Sequence, residues 1–263
     1  DISAGLLSID FFQKQSPLLF MDLGTNGEMA LFANGRWIAT STAAGPAFEG
    51  MGITHGMRAA TGAIETVWAN GNFLSLRTID DAPALGICGS GIMDLMACLL
   101  RSGAVDFNGR LKVPPASASW KGPFTERYAM IGKTSAIRLS DRIIFTQKDI
   151  RQFQLAKSAV QTGAGMLLDA VQLNPADLGK IVIAGAFGYH LREESLRAIG
   201  ILPHGFMGEI EFAGNTSRTG CALLLTDVTN RRLLEEQMRQ VTYLSIAEMA
   251  DFQSQFVRNM ALM

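Results

Sequence analysis

The sequence predicts an α/β fold built on a mixed sheet, with antiparallel hairpins first and flanking helices after them. Three observations carry that prediction. Short apolar runs joined by tight glycine turns fill the first part of the chain, as antiparallel hairpins do. Segments with apolar residues at helical spacing follow. In the second half such helices alternate with single, fully apolar strands, a pattern of parallel pairing.

Taken in order, DISAGLLSIDFFQ reads as a short helix, with apolar Ile2, Leu6, Leu7, Phe11 and Phe12. Leu18 to Leu23, Glu28 to Ala33 and Arg36 to Thr42 read as three strands. The second turn between them holds Asn-Gly, the strongest short-range hairpin signal, so a three-stranded antiparallel meander is expected. The glycine-rich AAGPAFEGMGITHGMRAATG is an ordered loop or a broken helix, longer than a connection needs. AIETVWANGNFLSLRTI is another Asn-Gly hairpin. A helix is expected from about Ile92 to Ser102, with apolar residues at 92, 95, 96, 99 and 100. A loop with a strand near YAMI, and the hairpin SAIRLSDRIIFT, lead to a long helix from TQKDIRQFQ onward. Thr146 and Asp149 open that helix in an S/T-x-x-D pattern, a capping box with Asp in place of Glu. Ile181 to Ala184 is a buried strand ending in a glycine turn. A helix begins near Leu191, GEIEFAGNTS is a strand with a polar turn, and helices are expected over about Arg218 to Gln240 and Ser245 to Met260.

Bulk properties exclude several functions. The chain has 263 residues, 48% hydrophobic and 18% charged, which is long enough for a sizeable core and too apolar for disorder. With 23 basic and 24 acidic residues, no global field favours nucleic acid or a membrane surface. Three cysteines without CxxC spacing argue against a disulfide framework and fit a reducing cytoplasm. No apolar stretch reaches the length of a membrane span.

Three turns share one character: an apolar strand, then glycine beside small polar groups. They are DLGTNGE (22–28), GICGSGIMD (86–94) and IAGAFGYH (183–190). Glycine lets backbone approach a ligand, and the N–H groups of such turns can form an anion nest. A helix that starts at once adds a positive partial charge suited to phosphate. An aspartate at a strand end, Asp22, can hold Mg²⁺. Ligands of α/β proteins collect at the carboxyl ends of strands. Each turn also has a purely structural reading: a hairpin, a helix cap at Ser90, close helix–sheet packing at Gly185 to Gly188. Neither G-x-x-x-x-G-K-[ST] nor G-x-G-x-x-G in a strand–helix setting occurs.

The segments MDLGTNGE and IVIAGAFG resemble the phosphate-binding hairpin and the adenosine turn of the acetate and sugar kinase, heat-shock ATPase and actin superfamily. That superfamily builds its lobes on a ribonuclease-H-like, actin-like fold. The set DLGTNGE, STAAGPAFEG, GMRAATGAIE, GICGSGIMD, TQKDIRQFQLAKSA, IAGAFG and AGNTS is closer still to the reductive activators of corrinoid proteins. This resemblance implies ATP-driven reduction of a Co(II) corrinoid to Co(I) on a partner protein in a methyl-transfer system, with ATP and Mg²⁺ as ligands. It also implies a homodimer and a [2Fe–2S] cluster in an upstream domain. The chain itself has no four-Cys ferredoxin run and shows one Asp-x-Gly-Thr motif where the superfamily's sites use two facing lobes. The expectation is therefore a C-terminal ATPase lobe, incomplete as an ATPase by itself. Residues 1–17 would be the tail of an upstream lobe or a linker helix, 18–240 the lobe with inserted hairpins, and 241–263 a C-terminal helix packing on it.

In that frame Asp22 is the metal or water-orienting candidate, and Gly24, Thr25, Asn26 and Gly27 would cradle phosphate. Glu28 faces the cleft or is a solvated strand-edge charge. Glu49 is catalytic or caps a neighbouring turn. Gly89, Ser90 and Gly91 would open a helix towards the phosphates, and Gly185, Ala186, Phe187 and Gly188 would sit by the adenosine. Asn215 and Ser217 complete the site or cap a helix. Cys88 reads as a small packed hydrophobe, and His55, His190 and His204 lack the spacing of a shared metal site. Two other functions compete: a small-molecule kinase of the same superfamily, and a module that docks a corrinoid protein without turning over nucleotide.

Overall fold

A computed structural model describes residues 1–14, 16–113, 122–185 and 191–262. The elements run in order α1 (Ile2–Ser8), β1 (Leu18–Leu23), β2 (Gly27–Ala33), β3 (Arg36–Thr42), β4 (Ala63–Asn70), β5 (Phe73–Thr78), β6 (Gly86–Ile87) and α2 (Gly89–Arg101). They continue with β7 (Tyr128–Ile131), β8 (Thr134–Arg138), β9 (Ile144–Thr146), α3 (Gln147–Ala170), β10 (Lys180–Ala184), α4 (Glu193–Ile199) and β11 (Glu209–Gly214). The last are α5 (Thr216–Thr226), α6 (Val228–Met238), β12 (Val241–Tyr243) and α7 (Phe252–Asn259). The chain divides into two compact units: Asp1–Ala43, Ala159–Tyr189 and Leu202–Phe256 form the first, and Ala44–Ser158, His190–Ile201 and Val257–Met263 the second.

The first unit is built on a six-stranded mixed sheet of order β11-β10-β1-β2-β3-β12. β1 pairs parallel with β10 and antiparallel with β2, and β10 pairs parallel with β11. The expected meander of β1, β2 and β3 is present, with Leu18 opposite Phe32 and Gly27 opposite Thr42. β1 is covered on both faces, which is why it reads as a continuous apolar run. On one face Phe20 stands beside Ala30 and Val182 in register, in a cluster with Leu6, Phe11 and Phe32. Phe20 is fully buried, worth about 1.5–3 kcal/mol. On the other face lie Met29 and Thr42, and α3 approaches them at Gly163, where a Cβ would come within 2.6 Å of Thr42 Cγ2. α1 packs on α5 so closely that a Cβ at Gly220 would overlap the Ala4 carbonyl.

Two helices expected at the C-terminal end differ from the prediction. The helix over 218–240 is broken at Asp227, whose backbone is extended and whose carboxylate accepts from Thr229 N (2.8 Å) and Thr229 Oγ1 (2.6 Å). A short polar side chain there offers the backbone a turn in competition with the helix. Residues 241–243, expected between helices, form β12, parallel to β3 and tied by Leu244 N donating to Ala39 O at 2.8 Å. The stretch 245–260 holds a 3₁₀ turn, Ile246–Glu248, before α7, because Met249 is extended.

The second unit carries two three-stranded sheets, β5-β4-β6 and β7-β8-β9. Both predicted hairpins are there, β4 with β5 and β8 with β9. α2 lies on β4 and also packs on α4. Asp94, 2% exposed, knots these together. Its carboxylate accepts from Val67 N (3.2 Å), Arg192 Nε (2.9 Å) and Ser195 Oγ (2.5 Å), while Arg192 Nη2 also donates to Val67 O at 2.8 Å. A buried carboxylate is tolerated here because every lone pair has a donor.

The α3 start follows the sequence reading. Thr146 N donates to Asp149 Oδ2 at 2.7 Å and Asp149 N to Thr146 Oγ1 at 3.2 Å, the reciprocal bonds of a capping box. Asp149 Oδ1 further accepts from Thr54 N and Oγ1, at 2.8 and 2.9 Å. Thr146→Ala is expected to cost about 1 kcal/mol in urea unfolding, the usual value of a helix cap.

Candidate functional site

The sequence places a carboxylate, Asp22, at the end of an apolar strand and a second, Glu28, just past a three-residue turn. The hairpin register makes them direct partners, Asp22 opposite Glu28, so both project on one face of the sheet. Gly24 N donates to Asn26 O at 3.1 Å and closes the turn, which leaves Thr25 and Asn26 exposed at its tip. β10 ends at Ala184, in register with Asp22, and β11 ends at Gly214 beside it. The carboxyl ends of three parallel strands, β1, β10 and β11, thus meet, the position at which α/β proteins collect ligands.

A cavity of about 450 Å³ opens there. Asp22, Gly24, Thr25, Asn26 and Glu28 line it from the hairpin, Gly185 from the end of β10, and Asn215 and Ser217 from the start of α5. Asp1, which carries no motif of its own, lines it too. All these residues belong to the first unit. Gly185 has φ +118°, and a Cβ there would sit 2.6 Å from Leu23 O and 3.4 Å from Asp22 Oδ1. Its missing side chain is what leaves the Asp22 carboxylate open to the cavity. Ser217 Oγ donates to Asp1 O (3.2 Å) and lies 3.4 Å from Asp22 Oδ2. Asn215 is the N-cap of α5, its Oδ1 accepting from Arg218 N at 2.9 Å, so the two readings of Asn215, cap and lining residue, hold together.

Electrostatically this pocket is acidic, and among the described residues no Lys, Arg or His side chain lines it. Burial raises the Asp22 carboxyl above its ordinary value, and the facing Glu28 raises it further; the Ser217 hydroxyl opposes both. A carboxylate held in that state is stabilised by any cation brought to it.

The other candidates fall elsewhere. Gly27 is buried in β2, where a Cβ would meet Thr42 Oγ1 at 2.7 Å; it does not line the cavity. Gly89, Ser90 and Gly91 lie in the second unit, buried, and form the first turn of α2 itself, with Cys88 and not Ser90 at the N-cap position and no side-chain capping bond. A Cβ at Gly91 would reach 2.2 Å from Ile64 O, so this glycine lets the helix press onto β4. Glu49 ends the 3₁₀ turn Pro46–Glu49, half-buried in the second unit. Cys88 is buried, its thiol donating to Ile64 O. Ala186, Phe187 and Gly188, and His190 with them, lie outside the described residues. Among the described residues, no group of three or more His, Cys, Asp and Glu is placed to hold a metal ion, and no helix is long and apolar enough to cross a membrane.

Known proteins share this architecture. Residues 16–263 match the family model described as the C-terminal domain of RACo, the ASKHA domain. The corrinoid activation enzyme RamQ of Eubacterium limosum is 35% identical over 98% of this chain and 44% of its own length. The [Co(II) methylated amine-specific corrinoid protein] reductase of Methanosarcina barkeri is 31% identical over 82% of this chain and 40% of its own length. A solved reductive activator for corrinoid,iron-sulfur protein superposes with a TM-score of 0.90 at 31% identity, covering 99% of this chain and 42% of that one. The chain spans less than half the length of these relatives. The hairpin, the mixed sheet and this match over nearly the whole chain place it in the RACo C-terminal family, with the actin-like ASKHA fold.

Proposed function

We propose that this chain is the nucleotide-binding lobe of an ATP-dependent reductive activator, which restores Co(II) corrinoid proteins to Co(I) in methyl-transfer systems. The observation that carries the reading is the cavity at the ends of β1, β10 and β11, lined by Asp22, by the 24–26 turn and by Gly185. Its chemistry fits phosphate only when phosphate arrives with a cation, because Asp22 and Glu28 repel a bare anion. Mg²⁺ suits it: this ion keeps several waters and is held by one or two carboxylates plus substrate phosphates, not by a full protein cage.

Each residue then has a task. Asp22 holds the metal or one of its waters, and Glu28 orients a further water. Thr25 and Asn26, at the turn tip, donate to phosphate oxygens. Gly185 keeps the approach to Asp22 clear, and Ser217 fixes the carboxylate's orientation. Bound nucleotide supplies the free energy that drives the electron uphill to the corrinoid. The cluster that delivers the electron, the second half of the clamp, the dimer and the Co(II) corrinoid protein partner lie in the whole activator as we read it.

Calorimetric titration tests the reading. ATP–Mg²⁺ is expected to bind the full protein, and to bind this chain alone far more weakly. ATP binding that ignores Mg²⁺, or no binding to the full protein, would remove the basis for the assignment.

A further inference from the structure

The second unit carries a basic groove of its own. Its volume is about 430 Å³, and four cations line it: Arg110, Lys133, Lys148 and Arg151. Among the described residues, no carboxylate lines it. That concentration is local, since the whole chain has a net charge of −1. Among the described residues, none of Arg110, Lys133 and Lys148 forms an ion pair with a carboxylate.

The groove is framed before any ligand arrives. Gln147, in the first turn of α3, donates from Nε2 to Gly109 O (2.6 Å) and accepts from Leu111 N (2.8 Å), which pins the 109–111 loop. Arg151 Nη1 donates to Asn108 O and Gln154 Oε1, at 2.8 and 2.6 Å, so its guanidinium is already part of the wall. Arg110, Lys133 and Lys148 remain exposed. Leu111 and the exposed Val113 add apolar surface to the lining.

The backbone argues against a phosphate cradle. Such a nest needs free amides, and those of the 109–111 loop are taken: Gly109 N by Asp106 O, Arg110 N by Asp106 Oδ1 and Leu111 N by Gln147 Oε1. What remains is three mobile point charges around apolar surface. That combination suits separate carboxylates on a polypeptide with an apolar residue between them, and it steers association over a Debye length.

We infer that this groove docks an acidic, apolar-bearing segment of the protein partner, which on the function proposed above is the Co(II) corrinoid protein. The inference rests on that reading for the partner's identity. The test uses the full protein, wild type and an R110E/K133E/K148E variant. Arg151 and Gln147 are left intact because they hold the frame. Binding to the Co(II) corrinoid proteins of the same organism is measured at low and high salt, with ATP–Mg²⁺ titration as a control for folding. The expected result is a loss of tenfold or more in affinity at low salt, a gap that narrows at high salt, and unchanged nucleotide binding. Equal binding by both proteins at every salt would overturn the docking groove and leave the function standing. Displacement of the partner by inorganic phosphate, beyond that caused by chloride at equal ionic strength, would make it a small-anion site and overturn the inference. Wild-type protein that binds no corrinoid protein would sink the functional reading, and the docking partner with it.

Discussion

Asp22→Asn in the full protein is expected to lower ATP–Mg²⁺ affinity and turnover by about 10²-fold, and to raise thermal stability at neutral pH. Both effects have one cause. Asp22 is half-buried beside Glu28, and its carboxyl is raised above its ordinary value by desolvation first and by the Glu28 charge second. The folded protein therefore holds this proton more tightly than the unfolded chain. For a raised carboxyl the favourable contribution is full below the unfolded value and lost as pH rises through the folded one. At neutral pH the ionised group is a cost to the fold, which the proposed cation would relieve. Asn keeps the shape and the Ser217 contact while removing the charge. The stability gap between variant and wild type should widen as pH rises from about 3.9 and then level off, read from urea midpoints. Saturating ATP–Mg²⁺ should stabilise the wild type and leave the variant nearly unmoved.

Lys157 is expected to give the largest pH effect on stability. Its side chain is fully buried in the second unit, and its ammonium donates to Asn259 O (3.0 Å) and Ala261 O (2.6 Å). Burial lowers its pKa from 10.5 to about 8. Between those values the unfolded lysine keeps its proton and the folded one has released it, so stability rises with pH across the window. The cost of the buried ammonium is full below about pH 8 and gone above 10.5. The whole difference amounts to about 3 kcal/mol. Lys157→Met should remove that rise, so the difference between wild type and variant changes steadily across the window and is level outside it. The same variant frees the strap that ends the described chain. The amide of Leu262, which donates to Phe107 O at 2.7 Å, should then exchange faster with solvent. A wild type and variant with parallel pH curves would show that the ammonium is better solvated than its burial implies.

Much of the fold was legible because local chemistry decides it. Asn-Gly turns force hairpins, so β2 with β3 and β4 with β5 could be read directly. Thr146 and Asp149 announce the start of α3 because each side chain answers the other's amide. Two departures came from competition that local pattern cannot rank. Asp227 stops a helix that its neighbours favour. Val241 to Tyr243 became a strand only because β3 offers a free edge to pair with. Gly89, Ser90 and Gly91 look like an anion turn in sequence, whereas in the fold they are the buried first turn of α2, with Gly91 pressed on the Ile64 carbonyl.

The candidate site divides in the same manner. Asp22, the 24–26 turn and Ser217 could be named from residue type at strand ends, and the structure brings them to one cavity. The Asp22–Glu28 pair follows from hairpin register, but its electrostatic consequence does not, since that depends on burial by β10 and α5. The role of Gly185 in clearing the Asp22 carboxylate needed its backbone angle and its neighbours. The basic groove drew no notice because its cations lie far apart in sequence, at 110, 133, 148 and 151.

The central claim is that the DLGTNGE hairpin holds nucleotide through Asp22 to drive corrinoid reduction. The most direct measurement is the rate of ATP-dependent Co(I) formation from a Co(II) corrinoid protein by the full activator, wild type against Asp22→Ala, followed in the visible spectrum. The account predicts a loss of about 10²-fold or more with the [2Fe–2S] spectrum preserved. Unchanged ATP-dependent Co(I) formation by Asp22→Ala would contradict it.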